Sequence, residues 1–416
     1  MLQTFIELYR YTEAWTGLTD GERNEFTRQI LGSAGELRTL GIEVVAYGVN
    51  DPDTDRRAPY DFFCVYGVPD LQTRRLFEKA VEGSGWYRYF DQVNLSGAAL
   101  TPIGLFNANA RLEEPAVQTE EIAPQSRYPK RSAVSHGHSM SYAEHGEGRA
   151  IVLLHGDVMS SFLWRNVMPH LEGRGRLLAV DLVGAGDSEK LPGSGEGTYS
   201  FAEHARHLDG LLETLDVGDD VVLVGHDWGA NLAFDWAMRH PGRTAGIAFS
   251  EALTPPFDWE DWPESVQPLF RFLRSPEGEQ AVLLHNAFVE SVPLALTRVL
   301  APEELAEIAR PYAEPGEGRR PTIDWPRQVP FGDDDTPVRA QLEQQAAWLA
   351  TSPVPKLFLQ AHPGGIAALG GRRAAAIREY TALTEARVTG AHWIPEEDPH
   401  GIGRAVAHWL DELPAR

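Results

Sequence analysis

Three polar side chains stand at the ends of apolar segments, and their types could do covalent chemistry together. Asp227 lies in the run 225–229 (GHDWG), Glu251 follows an apolar run, and His392 lies in the run 389–393 (TGAHW). A carboxylate can attack as a nucleophile, an imidazole can act as a base, and a second carboxylate can orient that base. Their order along the chain therefore suggests a catalytic triad.

The run around Asp227 has the composition of a sharp connection between a strand and a helix. The β-branched segment 221–224 precedes it, and a helix-like pattern over 231–240 follows. Glycines on both sides let the backbone turn tightly, so that the central side chain stands above a sheet. The pattern resembles the nucleophile elbow of an α/β-hydrolase, in which the central residue is usually Ser. Asp227 is the predicted nucleophile.

The remaining triad members follow from the order nucleophile, acid and His in this fold. His392 comes after the last predicted strand, where the base belongs. The acid normally follows the strand after the cap, but the run 360–364 (QAHPG) contains no carboxylate. The other known position is the end of the strand before the cap, where Glu251 stands. Glu251 is therefore the predicted acid by elimination.

An Asp nucleophile changes the expected substrate. Attack on an acyl carbon would give a labile anhydride, so displacement at an sp³ carbon is favoured. Asp227 would form an alkyl ester, and His392, oriented by Glu251, would activate water to hydrolyse it. We expect the backbone N–H groups of Trp228 and Asp157 to stabilise the oxyanion.

Several runs resemble those of haloalkane dehalogenases. They are 155–166 (HGDVMSSFLWRN), 225–229, 309–312, 319–328, 352–357 and 390–393. The resemblance covers roughly residues 135–413 and is to the branch with an Asp–His–Glu triad, which also contains coelenterazine-oxidising luciferase relatives. It implies an α/β-hydrolase with a helical cap, and it implies no metal and no organic cofactor.

One residue departs from that family, which holds the leaving halide between a Trp indole N–H and an Asn side chain. Trp228 supplies the indole, but Asp157 stands where the Asn should be. An ionised Asp157 would repel a halide, whereas proximity to Asp227 could raise its pKa and leave a neutral donor. A neutral acid also suits epoxide opening, for which Tyr312 is another candidate donor. Haloalkane hydrolysis, epoxide hydrolysis of a bulky metabolite and a non-catalytic binding or assembly role therefore stay open.

The chain divides into two predicted domains. Residues 1–110 follow the order β-α-β-β-α-β, with strands at 4–9, 44–49, 61–68 and 86–90 and helices at 19–40 and 71–82. This order indicates a ferredoxin-like α+β module, and the segment resembles dimeric α/β-barrel proteins, so a homodimer through it is possible. A proline-containing linker is predicted at 111–132. Residues 133–416 alternate strand and helix, with a cap at about 255–345, and so predict an α/β domain.

Composition limits the partners. The 37 basic and 60 acidic residues give a net charge of −23, which disfavours nucleic acid and anionic membranes and leaves a small-molecule substrate. Cys64 is the single cysteine of the sequence, as expected in a reducing compartment. The sequence shows no signal peptide and no apolar run of ~18–20 residues. We expect a soluble cytoplasmic protein.

Overall fold

The computed structural model describes residues 3–34, 40–98, 101, 103–105, 120–256, 258–259, 267–331, 336–366 and 371–414. The chain forms two compact units, Met1–Leu100 and Thr101–Arg416. Some predicted segments lie partly outside the described residues. They are helix residues 35–39, linker residues 111–119 and cap residues 257, 260–266 and 332–335.

The N-terminal unit is a four-stranded antiparallel sheet with helices. Its elements are β1 (Gln3–Tyr11), α1 (Glu13–Thr16), α2 (Asp20–Ala34), β2 (Glu43–Val49), β3 (Phe62–Val68), α3 (Leu71–Gly83) and β4 (Phe90–Ala98). The strands are ordered β2-β3-β1-β4. Apart from the short α1, the order of elements is the predicted one, while the ferredoxin-like assignment stays a prediction.

The fourth strand was predicted in the wrong place. Residues Trp86–Arg88 form a 3₁₀ turn after Gly85, which has a φ of 79°, and the strand begins at Phe90. The Trp86 ring packs 4.2 Å from the Phe90 ring, centroid to centroid. Trp86, Tyr89 and Phe90 of the aromatic run thus pack in the core of this unit, and such packing does not distinguish a strand from a turn.

The C-terminal unit is an α/β-hydrolase, as predicted. Its sheet has the order β12-β11-β10-β9-β7-β8-β6-β5. Its strands are β5 (Lys130–Ser135), β6 (His138–His145), β7 (Ala150–Leu154), β8 (Arg176–Val180), β9 (Val221–His226), β10 (Thr244–Ser250), β11 (Lys356–Pro363) and β12 (Leu383–Gly390). The pairs β5–β6 and β6–β8 are antiparallel. The other neighbouring pairs, β8–β7, β7–β9, β9–β10, β10–β11 and β11–β12, are parallel.

Helices cover the sheet and form the cap. Outside the cap they are α4 (Phe201–Thr214), α5 (Trp228–Arg239), α12 (Arg372–Ile377), α13 (Ile394–Glu397) and α14 (Pro399–Glu412). Those between β10 and β11 are α6 (Gln267–Leu273), α7 (Pro276–His285), α8 (Ala287–Ala295), α9 (Pro302–Ala309), α10 (Pro321–Arg327) and α11 (Pro337–Thr351). The alternation of strand and helix thus breaks where the helical cap was predicted.

The central strands β7, β9 and β10 are buried along their whole length. Strands covered on both faces need continuous apolar runs, which is why these segments do not alternate. Parallel strands also bring their carboxyl ends to one edge, where such sheets bind ligands. The four candidate side chains follow β7, β9, β10 and β12 at this edge: Asp157, Asp227, Glu251 and His392.

The start of the C-terminal unit is fixed to the cap. The Thr101 hydroxyl is buried and donates to the carbonyl of Leu296, which directly follows α8. The Gly104 N–H donates to the Thr101 oxygen at 3.1 Å. A Cβ on Gly104 would lie 2.6 Å from the Thr297 carbonyl oxygen, so this glycine permits a close approach of two backbones.

Candidate active site

Asp227 sits on a strained turn. Its backbone has φ 55° and ψ −129°, a region that residues with a Cβ seldom adopt. Small neighbours make the turn possible: a Cβ on Gly229 would lie 2.2 Å from the Leu154 carbonyl oxygen, and one on Gly156 would lie 2.2 Å from Asp227 Oδ2. The turn ends β9 and begins α5, as the sequence predicts for a nucleophile elbow.

The Asp227 carboxylate is buried, with 5% of the residue exposed, and receives hydrogen bonds from the backbone. The Asp157 N–H donates to its Oδ2 at 3.1 Å. Burial raises the pKa of Asp227, whereas the charge of His392 and the N–H groups of Asp157 and Trp228 lower it, leaving a net rise. The predicted oxyanion donors therefore point at the nucleophile's own carboxylate.

His392 and Glu251 form a pair. His392 Nδ1 lies 3.3 Å from Glu251 Oε2, and Glu251 is 1% exposed. The same carboxylate oxygen accepts the N–H groups of Gly365, at 3.2 Å, and Ile366. Burial lowers the pKa of His392, but the hydrogen bond to Glu251 and the charges of Asp227 and Glu251 outweigh it, so the pKa is raised.

The His392 loop is held from behind as well. The carbonyl oxygen of His392 accepts a hydrogen bond from Nε2 of His226 at 2.6 Å. Because a carbonyl can only accept, His226 carries its proton on Nε2. Burial lowers the pKa of His226 to about 3, and this side chain therefore stays neutral. The sequence marked His226 as part of the elbow motif but gave no sign of this contact.

Asp157 is buried in a negative environment, with 8% of the residue exposed. Its Oδ1 accepts the N–H of Val158 at 2.6 Å. Burial raises its pKa well above the usual value, and the charges of Asp227 and Asp324 raise it further. The alternative in which Asp157 is neutral therefore agrees with its surroundings.

Trp228 is fixed by a stack of rings. Its indole stacks on Trp325 of α10, with centroids 4.7 Å apart and planes at 26°. Trp325 in turn stacks on His204 of α4, at 4.1 Å and 14°. The sequence gave no sign that Trp325 and His204 support Trp228.

Tyr312 is buried in the cap, at the end of the 3₁₀ turn Arg310–Tyr312. Burial raises its pKa well above the usual value, and a negative charge on Asp157 would add to the rise. Lys190 Nζ lies 4.3 Å from the centroid of the Tyr312 ring. The structure thus brings together all six candidate residues: Asp157, Asp227, Trp228, Glu251, Tyr312 and His392.

No group of three or more His, Cys, Asp or Glu side chains in the described part of the chain could hold a metal ion. Within the same residues, no helix is both long and apolar enough to cross a membrane.

Comparison with known proteins separates the two units. Residues 149–341 match the family model described as alpha/beta hydrolase fold, and residues 2–112 match a family of unknown function, DUF6616. The chain is 47% identical over 278 residues to a haloalkane dehalogenase of Sphingobium indicum, covering 67% of this chain and 93% of that relative.

Two other proteins show how far the similarity extends. The crystal structure of haloalkane dehalogenase DbeA from Bradyrhizobium elkani has a TM-score of 0.64 at 34% identity, covering 68% of this chain and 97% of that one. The coelenterazine h 2-monooxygenase of Renilla reniformis is 34% identical over 276 residues, covering 65% of this chain and 86% of that relative. Each similarity leaves about a third of this chain unmatched.

Proposed function

Because the chain belongs to the haloalkane dehalogenase family, we propose that it hydrolyses bonds at an sp³ carbon through a covalent ester on Asp227. One observation carries the proposal: a buried carboxylate on a strained elbow lies within electrostatic range of the His392–Glu251 pair. The membership makes the chain a hydrolase, and the roles of individual residues are the proposed part.

In the first step, one carboxylate oxygen of Asp227 attacks the carbon that bears the leaving group. A new C–O bond forms, the carbon–halogen bond breaks, and halide leaves with the bonding electron pair. The backbone N–H groups of Asp157 and Trp228, which lower the pKa of Asp227, keep this carboxylate ionised and aimed.

In the second step, water attacks the carboxyl carbon of the ester. His392 accepts the water proton, and the N–H groups that faced the carboxylate stabilise the developing oxyanion. The alkyl–oxygen product leaves as the alcohol after taking a proton from His392, which restores the Asp227 carboxylate. Glu251 orients the imidazole and stabilises its charged form.

Asp157 fits the first step when it is neutral. A protonated carboxyl can donate a hydrogen bond, as the amide of an Asn can, and so would share the halide with the Trp228 indole. Burial and the charge of Asp227 both favour this neutral form. The same neutral donor, beside the Asp227 carboxylate, would serve an epoxide oxygen, so epoxide hydrolysis is a second candidate.

Product analysis on two substrate panels tests these proposals. Halide release from bromoalkanes is measured with the native protein and with Asp157→Asn, and diol formation is measured with epoxides. Halide release by the native protein supports haloalkane hydrolysis. If only Asp157→Asn releases halide, haloalkane hydrolysis is not the native reaction. Diols without halide release would favour the second candidate, and binding without turnover would favour a non-catalytic role.

We also propose that the N-terminal unit forms a homodimer through its sheet. Val93 and Leu95 are 43% and 53% exposed and lie opposite Leu8 and Ile6 in the register. Successive residues of a strand face opposite sides, so these four share the face turned away from buried Phe5. Light scattering tests this: the full chain should have the mass of a dimer, and Leu95→Asp that of a monomer. A monomeric native chain would exclude the homodimer.

A further inference from the structure

Glu397 is a second buried acid beside the His392 loop, and it has no part in the reaction described above. Its carboxylate binds two backbone N–H groups from different parts of the unit. Oε1 accepts the N–H of Thr297 at 2.7 Å, and Oε2 accepts the N–H of Ala391 at 2.9 Å. Thr297 belongs to the cap, between α8 and α9, while Ala391 directly precedes His392.

The fit around Glu397 is close. A Cβ on Gly390 would lie 2.9 Å from Glu397 Oε2, and Gly390 itself has a φ of 151°. The backbone before His392 is therefore shaped to receive this carboxylate. With the His226 bond to the carbonyl and the Glu251 bond to the ring, the His392 loop is held at three points.

The neighbouring acid, Glu396, has different partners. Its carboxylate pairs with Arg165, and Oε2 lies 2.6 Å from Nη2 of Arg298. Both arginines also pair with Glu304 of the cap, so these four side chains form a buried charge network. Glu396 is thus neutralised by cations, whereas the charge of Glu397 acts on His392.

We infer that Glu397 is a positioning residue for the His392 base and that it connects this base to the cap. The inference rests on the proposed function, and it assigns Glu397 to the second step in particular. In the free enzyme, His392 faces the charges of Asp227, Glu251 and Glu397. Once Asp227 is an ester it carries no charge, so Glu251 and Glu397 alone among these three stabilise the imidazolium that forms as water attacks.

Burial raises the pKa of Glu397 to about 7, while its bonds to Thr297 and Ala391 and the charge of His392 oppose the rise. The carboxylate therefore gains its charge in the pH range where His392 must act. A cap movement that breaks the Thr297 bond removes one of the opposing contributions and favours the protonated acid. The position of the cap would in this way change the strength of the base.

Separate measurement of the two steps tests the inference. The halide burst reports alkylation, and single-turnover decay of the ester, followed by mass spectrometry across pH, reports hydrolysis. For Glu397→Gln we expect a burst within about twofold of native, and ester hydrolysis slower by about tenfold with its acid limb moved about one pH unit lower. Glu397→Asp keeps the charge and should restore part of both effects.

Glu396→Gln is the matched control, because it removes a buried carboxylate from the same helix without facing His392. We expect it to lower the unfolding temperature and to leave the acid limb in place. If Glu397→Gln does not fold, an NMR titration of the His392 ring tests the inference instead. The pH at its midpoint should differ between the native chain and Glu397→Asp.

Three results would overturn the inference: an unmoved acid limb in Glu397→Gln, equal losses in both steps, or an identical His392 midpoint in Glu397→Asp. Failure of the proposed function looks different, since then the native protein gives no halide burst and no ester for any substrate in the panel. That result would remove the premise and overturn the inference with it.

Discussion

Asp227 and Asp157 place two carboxyl groups in one buried site, and their surroundings differ. The backbone N–H of Asp157 donates to the Asp227 carboxylate. Asp227 receives N–H groups from Asp157 and Trp228 and faces the charge of His392. Asp157 receives the N–H of Val158 and faces the charges of Asp227 and Asp324. Burial raises both pKa values, but only Asp157 is pushed well above the ordinary range.

These surroundings favour a neutral Asp157 beside an ionised Asp227 at one edge of the sheet. Two adjacent negative charges in a buried site repel, so a proton on one of them stabilises the charge on the other. Asp227 is the carboxyl favoured to keep its charge, because the backbone N–H groups of Asp157 and Trp228 and the charge of His392 lower its pKa. We therefore expect substitutions of the two aspartates to have opposite consequences.

The largest expected effect follows Asp227→Asn. The amide is a far weaker nucleophile, so turnover should fall by at least about 10⁴-fold, while the fold survives. Mass spectrometry should show no alkyl adduct on this variant, whereas His392→Gln should accumulate one. Full activity in Asp227→Asn would exclude the covalent mechanism, and with it the proposed difference in role between Asp227 and Asp157.

Glu251→Gln should cause the second-largest loss of turnover. The amide still accepts the Gly365 and Ile366 N–H groups but brings no charge to the imidazole, so we expect turnover to fall by about 10²–10⁴-fold. The pKa of His392 should also fall, which a pH–rate profile would show as an acid limb at lower pH. A turnover within twofold of native would mean that another group orients His392.

Asp157→Asn sharpens the contrast through pH. If only the neutral acid supports the leaving group, native activity falls as pH rises through the raised pKa of Asp157. The Asn variant, which cannot ionise, should lose this alkaline limb. The acid limb, set by ionised Asp227 and neutral His392, should stay. An alkaline limb unchanged in Asp157→Asn would show that another group causes it.

The same variant should change stability with a definite sign. A raised pKa in the folded state means that folding opposes ionisation of Asp157, so the native chain loses stability as pH rises above the pKa of the unfolded chain, ordinarily about 4. Asp157→Asn should therefore be more stable than the native chain at pH 7 by about 1–3 kcal/mol, and this gain should vanish below about pH 4. Urea unfolding at pH 7 and pH 3.5 measures the difference.

The smallest effect is expected for Tyr312→Phe. The hydroxyl has no part in the proposed displacement of halide, so halide release should change by less than about threefold. In the epoxide mechanism the phenol would donate to the leaving oxygen, and its loss would cost about 10²-fold or more. The ratio of these two effects in one variant distinguishes the two candidate reactions.

The nucleophile elbow and the position of the base could be predicted from sequence because short runs of residues specify them. The β-branched residues of β9 and the glycines of the elbow specify a turn that exposes Asp227, and the chain order of the fold then locates His392. Glu251 was the remaining choice for the acid because no carboxylate follows β11. In the structure it lies beside His392.

Contacts between distant segments carried no such signal. Glu251 accepts N–H groups more than a hundred residues away, and Glu397 joins the cap to the His392 loop through backbone groups that any residue type could supply. The ring stack behind Trp228 likewise depends on how α4 and α10 pack. Aromatic content predicted a strand at Trp86, but this residue lies in a 3₁₀ turn.

The anchoring of Thr101 has a practical consequence for anyone who wishes to produce the C-terminal unit separately. Its hydroxyl caps the Leu296 carbonyl, one residue before the Thr297 N–H that Glu397 binds. The sequence resemblance starts only at about residue 135, so an expression boundary chosen from homology would delete this contact. A truncation that begins before Thr101 keeps it.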